Sequence, residues 1–194
     1  MRKWFAFVFY IIFLCCAQAE SNKEKSIEKG DIITNIIKEG EQREVRAELI
    51  IDAPVKLVWD MINDYDHQTE YMPQVIESAV LKSETNKKWV RIKIRILFFK
   101  MIITTVHTFG GKNFYYHWDL VEGPFEVNRG SWLLEPYDNN RTKVNYRVVV
   151  VHKLMHDWIM ADLVKKSLTE MFDTFRKRAD YLKKQGEIKI QKSN

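Results

Sequence analysis

Residues 89–120 read WVRIKIRILFFKMIITTVHTFGGKNFYYHWDL, and this stretch decides the fold. Its first part alternates strictly, with Ile92, Ile94 and Ile96 against Arg91, Lys93 and Arg95. A period of two marks a β-strand with one dry and one wet face. Gly110-Gly111 breaks the pattern and supplies the positive φ that a tight hairpin requires. With these two glycines as the whole loop, His107 pairs with Phe114, Thr105 with Tyr116 and Ile103 with Trp118. With Phe98-Phe99 as the preceding turn, Ile96 pairs with Met101, Ile94 with Ile103 and Ile92 with Thr105. Paired residues share a face. One face therefore collects Ile92, Ile94, Ile96, Met101, Ile103, Thr105, His107, Phe114, Tyr116 and Trp118. The other collects Arg91, Lys93, Arg95, Thr104, Tyr115, His117 and Asp119. The predicted inner face is apolar with three polar handles: Thr105, His107 and Tyr116.

Strand patterns continue on both sides. Downstream, Gly130–Glu135 and Lys143–His152 read as strands, the latter with Val144, Tyr146, Val148 and Val150 on one side. Asp138-Asn139-Asn140 supplies the turn between them. Upstream, Ser78–Ser83 reads as a strand, as does Arg43–Ile51, with a short strand over Ile32–Ile37. Asp52-Ala53-Pro54 ends the earlier strand, with Asp52 as the expected cap of a helix and Pro54 in its first turn. Val55, Val58, Trp59 and Ile62 form that helix's apolar face, and Asn63–Asp66 breaks it. A second short helix follows, up to Met72-Pro73.

The last element is one long helix, expected over Asp157–Gln185 and closed by Gly186. Ala161, Val164, Leu168, Met171, Phe172, Phe175, Ala179 and Leu182 recur at steps of three and four. At 1.5 Å per residue the helix is roughly 40 Å long. Its apolar stripe should cover the dry face of the sheet.

The N-terminus has a different character. Arg2-Lys3 precede an unbroken apolar run from Trp4 to Cys16, and Ala17-Gln18-Ala19 follows as a small-x-small site. This is the layout of a secretory signal peptide, with an uncleaved anchor as the alternative. The run falls short of the ~20 residues that span a bilayer. Cleavage after Ala19 removes both cysteines, Cys15 and Cys16, and takes the net charge from +5 to +3. No disulfide or thiolate chemistry remains in the mature chain, and its expected place is periplasmic or secreted. The expected organisation is a signal peptide over 1–19, a flexible leader with one short strand over 20–41, a single domain over 42–185 and a polar tail over 186–194. With 46% apolar residues, 7 Gly and 4 Pro, the chain is neither collagenous nor low-complexity. The mild basic excess is not the footprint of a nucleic-acid binder.

Few residues suggest chemistry. His107 could orient a ligand's polar end or act with Tyr116 in acid–base catalysis, against the alternative of a buried, hydrogen-bonded histidine. Asp60, Asp64, Asp66 and His67 lack ligand spacing and sit at a helix end, so a capping role is expected. His152 and His156 straddle a strand-to-helix boundary and are not expected to bind metal. The chain has no Gly-rich phosphate loop and no Gly-x-Ser-x-Gly elbow. Arg91, Lys93 and Arg95 read as a solvated strand face, with transient contact to anionic headgroups as the alternative. Asn140-Arg141-Thr142 is a glycosylation sequon by pattern alone.

Several stretches carry a family resemblance. Ile51-Asp52-Ala53-Pro54-x-x-x-Val58-Trp59, then Ile62, Asp64-Tyr65 and Tyr71-Met72-Pro73, resembles the opening of the START-like, polyketide cyclase/dehydrase (SRPBCC) superfamily. Leu120-Val121-Glu122-Gly123-Pro124-Phe125 and Gly130-Ser131-Trp132-x-Leu134-x-Pro136 resemble its coenzyme Q-binding and RatA-like branch. The resemblance covers roughly residues 43–182. It implies an α+β helix-grip fold, a curved antiparallel sheet wrapped around a long C-terminal helix, with two short helices after the first strand. It also implies a cavity between sheet and helix, walled by Trp59, Ile92, Ile94, Ile103, Thr105, His107, Tyr116, Trp118, Trp132, Tyr146, Val148, Leu168, Met171, Phe172 and Phe175. Met160 adds to the helix's soft lining. The expected ligand is a lipid, quinone or polyketide-like molecule, bound by a monomer without metal or cofactor. The alternatives are a cyclase or dehydratase using His107 and Tyr116, and a RatA-like protein that binds a macromolecule.

Overall fold

The computed structural model describes residues 21–39, 42–96, 99–111, 113–152 and 156–193. The signal-peptide run, its cleavage site and both cysteines lie outside them. Helix α1 spans 21–28. Strands β1 (Ile33–Glu39) and β2 (Gln42–Ile51) lead into helix α2 (Val55–Ile62), a 3-10 turn (Tyr65–His67) and helix α3 (Gln68–Tyr71). Six strands follow: β3 (Val75–Ser83), β4 (Lys87–Ile96), β5 (Phe99–Phe109), β6 (Tyr115–Glu122), β7 (Phe125–Pro136) and β8 (Thr142–His152). Helix α4 (Asp157–Ser193) ends the fold. The eight strands form one antiparallel sheet in the order β1-β2-β8-β7-β6-β5-β4-β3. This is the helix-grip arrangement that the sequence implies. No helix among the described residues is long and apolar enough to cross a membrane.

The predicted faces match the sheet, but the predicted register is off by two residues in the β4–β5 hairpin and by four in the β5–β6 hairpin. Ile96 pairs with Phe99 and Ile94 with Met101, so Phe99 belongs to β5 and not to the turn. Phe109 pairs with Tyr116 and His107 with Trp118, because the loop after β5 is longer than two residues. Gly110 and Gly111 do adopt positive φ, at 135° and 82°, and Phe114 joins them at 53°. An even slip returns each side chain to its face, whereas a slip of one would invert it.

Four further expectations are corrected. Residues 21–28 are not a loose leader. They form α1, which buries Ile27 completely and ties Lys23 to Glu48, Glu24 to Lys143 and Glu28 to Tyr137. One apolar anchor in a charged segment is too weak a pattern to reveal a docked helix. Pro54 caps α2 instead of entering its first turn, and no side chain, Asp52 included, caps that helix. A proline disfavours helical geometry in the residue before it, so the helix cannot start earlier. Gly186 does not stop α4, which runs on through Glu187–Ser193. Its φ is not left-handed, and the residues after it are mostly good helix formers. Strand β7 begins at Phe125, five residues ahead of the predicted Gly130, through a bulge between Phe125 and Val127.

The core lies where α4 meets β2 and β8. Val45, Ala47, Leu49, Ile51, Leu134, Val144, Phe172 and Ala179 are all nearly or fully buried there. Four hydrogen bonds from three side chains fix the helix and strand ends to one another. Arg176 donates to the Ile50 carbonyl (3.3 and 3.2 Å), Lys183 to the Asp52 carbonyl (2.7 Å) and Thr142 to the Ala53 carbonyl (2.7 Å).

Candidate functional site

A cavity of about 640 Å³ lies between the sheet and α4. Of the residues expected to wall it, thirteen do so: Ile92, Ile94, Ile103, Thr105, His107, Tyr116, Trp118, Trp132, Tyr146, Val148, Leu168, Met171 and Phe175. Two do not. Trp59 packs edge-on against Phe109, Phe114 and Tyr116, 5.8–5.9 Å away, and lines a separate polar cleft with Asn63, Glu84 and Lys88. Phe172 is fully buried beneath the wall, edge-on to Trp132 and Tyr146 at 5.8 Å. Helical periodicity places a residue on the inner stripe but does not say whether it touches cavity or core.

The cavity also takes residues that the sequence pattern did not single out. Tyr65, Gln68, Met72 and Val75 come from the segment around α3, which is too short to show a period, and Ile62 joins them from the apolar face of α2. Phe125 and Asn128 arrive through the early start of β7 and its bulge. His152 lines the wall too, a second inward histidine beside His107. That signal was available, since His152 continues the alternation Tyr146, Val148, Val150.

The two ends of the cavity differ. One end holds Lys100, which is exposed, with Met101, Ile94, Phe125 and His152 around it. The other holds His107, Tyr65 and Thr105, all buried. Tyr65 Oη lies 2.7 Å from His107 Nδ1, and Thr105 Oγ1 lies 2.9 Å from His107 Nε2. Tyr65 also donates to Asn63 Oδ1 at 3.2 Å. The imidazole stacks on Tyr116, 5.0 Å away at 12° between planes. Burial, and secondarily the Lys88 ammonium, holds its pKa down to about 4, so it is neutral near pH 7. A neutral imidazole carries one proton. With the one Tyr65 proton given to Asn63, Nδ1–H donates to Tyr65 and Thr105 donates to Nε2; if Tyr65 turns its proton to Nδ1 instead, Nε2–H donates to Thr105. Both ring nitrogens are engaged in either case.

The middle of the wall is aromatic. Trp118 donates its indole N–H to Asn128 Oδ1 at 3.0 Å. Its ring lies over Gly130, where an added Cβ would come within 2.3 Å of that ring and of the Arg147 carbonyl. Trp132 meets Tyr146 edge-on at 4.7 Å and Phe175 at 5.7 Å. These rings hold α4 away from this part of the sheet.

The remaining candidates lie elsewhere. His67 is exposed and bonded to Asp64 at 2.7 Å, and Asp60 pairs with Lys56 on α2. Arg91 and Lys93 point outward to Glu122 and Glu77. No cluster of metal-binding side chains occurs among the described residues.

Comparisons with known proteins agree with this geometry. Three solved structures are similar in fold. A START superfamily protein from Mycobacterium smegmatis aligns with TM-score 0.67 and 14% identity, over 72% of this chain and 98% of that one. The ZhuI aromatase/cyclase from Streptomyces sp. R1128 aligns with TM-score 0.66 and 15% identity, over 72% and 94%. A STAR-related lipid transfer protein fragment from Xanthomonas axonopodis aligns with TM-score 0.62 and 16% identity, over 76% and 98%. No curated protein matches the chain in sequence. Residues 51–176 match the family described as polyketide cyclase/dehydrase and lipid transport, from the end of β2 into α4, and the chain belongs to that family.

Proposed function

We propose that this chain binds and carries a hydrophobic small molecule outside the cytoplasm, holding it in the cavity between sheet and helix. The observation that carries this reading is the cavity itself. It is about 640 Å³, within the usual range for small-molecule sites, and mostly apolar in lining. Burial of an apolar ligand at about 25 cal/mol per Å² would supply the affinity. The N-terminal layout of charge, apolar run and small-x-small site supports the extracytoplasmic location. The stretch Leu120–Phe125 supports a place near the coenzyme Q-binding and RatA-like members.

A cyclase-type enzyme is the second reading, and the aromatase/cyclase among the structural neighbours favours it. His107 serves it poorly. Both ring nitrogens are held by protein, and the ring is neutral, so it offers a ligand neither an open base nor an acid.

The test is native mass spectrometry of the purified chain, with a scan of lipids and quinones by thermal shift. A bound hydrophobic species is expected to co-purify, and Ile103→Trp, which fills the cavity, should exclude it. The reading fails if nothing co-purifies and no lipid or quinone raises the melting temperature.

A further inference from the structure

Most polar groups around the cavity already have partners. His107 is held on both nitrogens, Asn128 Oδ1 accepts from Trp118, and Gln68 Oε1 accepts from Ser78 at 3.2 Å. Tyr146 differs. It lines the cavity, and its hydroxyl makes no hydrogen bond with any described residue. No solvent-sealed side-chain nitrogen or oxygen in the described structure lacks a partner. The Tyr146 hydroxyl is therefore not sealed in protein, and the open space beside it is the cavity. Burial raises its pKa, so it remains a donor at physiological pH. Its ring is fixed by Trp132 at 4.7 Å, Trp118 at 5.6 Å and Phe172 at 5.8 Å. A rigid donor aimed into an apolar space loses free energy unless something accepts from it.

The charge around it narrows the acceptor. Lys100, His107 and His152 are the basic side chains of the lining. Lys100 is exposed at the far end, and His107 is neutral. His152 is on the same strand, six residues on, about 20 Å at ~3.4 Å per residue. An ionised carboxylate beside Tyr146 would be buried without a counter-charge. The volume corresponds to about twenty non-hydrogen atoms at roughly 30 Å³ each.

We propose that the ligand is an uncharged, mostly apolar molecule with a hydrogen-bond-accepting oxygen, and that Tyr146 is the residue that selects for that oxygen. This rests on the binding reading above and adds the chemistry of its ligand.

The test uses two probes of one shape, 9-fluorenone and fluorene, which differ by a carbonyl in place of a methylene. Both compete with 1-aminoanthracene for the purified chain. The wild type is expected to prefer fluorenone about five- to tenfold, the worth of one buried hydrogen bond. Tyr146→Phe should bind fluorene as the wild type does and reduce the preference below twofold. Tyr115→Phe, a control on β6 outside the cavity lining, should keep it. Equal binding of the two probes by the wild type overturns the inference and leaves the binding reading standing. A preference that survives Tyr146→Phe, or is lost equally in Tyr115→Phe, overturns the role of Tyr146. Binding of neither probe nor dye overturns the binding reading, and this inference with it.

Discussion

The two halves of the sheet carry the same alternating pattern and do opposite things with it. Over β2 and β8, α4 sits directly on the strands, and Ala47, Ala161 and Ala179 are small enough to let it approach. Over β4 and β5 the helix stands off, and Ile92, Ile94 and Ile103 face the cavity half-buried. Trp118, Trp132 and Phe175 separate the two regions as props. An inward apolar residue is thus core in one half and binding surface in the other. The difference lies in what faces it, not in its own strand.

Truncating a buried ring should show this contrast most strongly. Phe172→Ala in the packed half is expected to cost about 3–5 kcal/mol, against about 1 kcal/mol for Ile103→Val in the cavity half. Urea denaturation of the two variants measures it, and similar losses would erase the distinction.

The next effect concerns pH. His107 has a folded pKa of about 4 against an ordinary value of 6.5. The unfolded chain therefore binds the proton first as pH falls, and stability declines from about pH 6.5 down to about pH 4. The upper limit is about 3 kcal/mol, at 1.36 kcal/mol per pH unit of difference. Stability of wild type minus His107→Gln across that range isolates the contribution, and a flat difference would contradict it. His67 has the opposite sign. Asp64 raises its pKa through a hydrogen bond, so its contribution is full below pH 6.5 and fades above. Being exposed, it should be hard to detect beside His107.

Gly130→Ala probes the props. A methyl there meets the Trp118 ring and the Arg147 carbonyl at 2.3 Å. Overpacking of about 1–3 kcal/mol is expected, together with a changed near-UV circular dichroism signal as Trp118 is displaced. An unaltered signal would mean that the Trp118 ring does not rest on this glycine.

Much of this was legible in the sequence, for reasons that also explain what was not. Faces follow from a period of two, so alternation and the helix stripe placed twelve of the cavity residues on the inner side; the family resemblance added Trp132 and implied the cavity itself. Registers depend on loop length, and two glycines do not state how many neighbours join their turn. Tyr65, which holds His107, sits in a 3-10 turn with no period to reveal it. Trp59 and Phe172 point to the right side of their helices and are stopped by other rings. The unpaired hydroxyl of Tyr146 could not be foreseen, because a lack of partners is a property of the packed molecule.

The even slips in the two hairpins, of two residues and of four, have an evolutionary consequence. A pair of residues gained or lost within β4 or β5 slides the pairing and still returns isoleucines to the cavity and arginines to solvent. A single residue gained or lost reverses them and presents Arg91 and Lys93 to the ligand. For divergence of this family's ligand site, the parity of an insertion in these strands should count for more than its length.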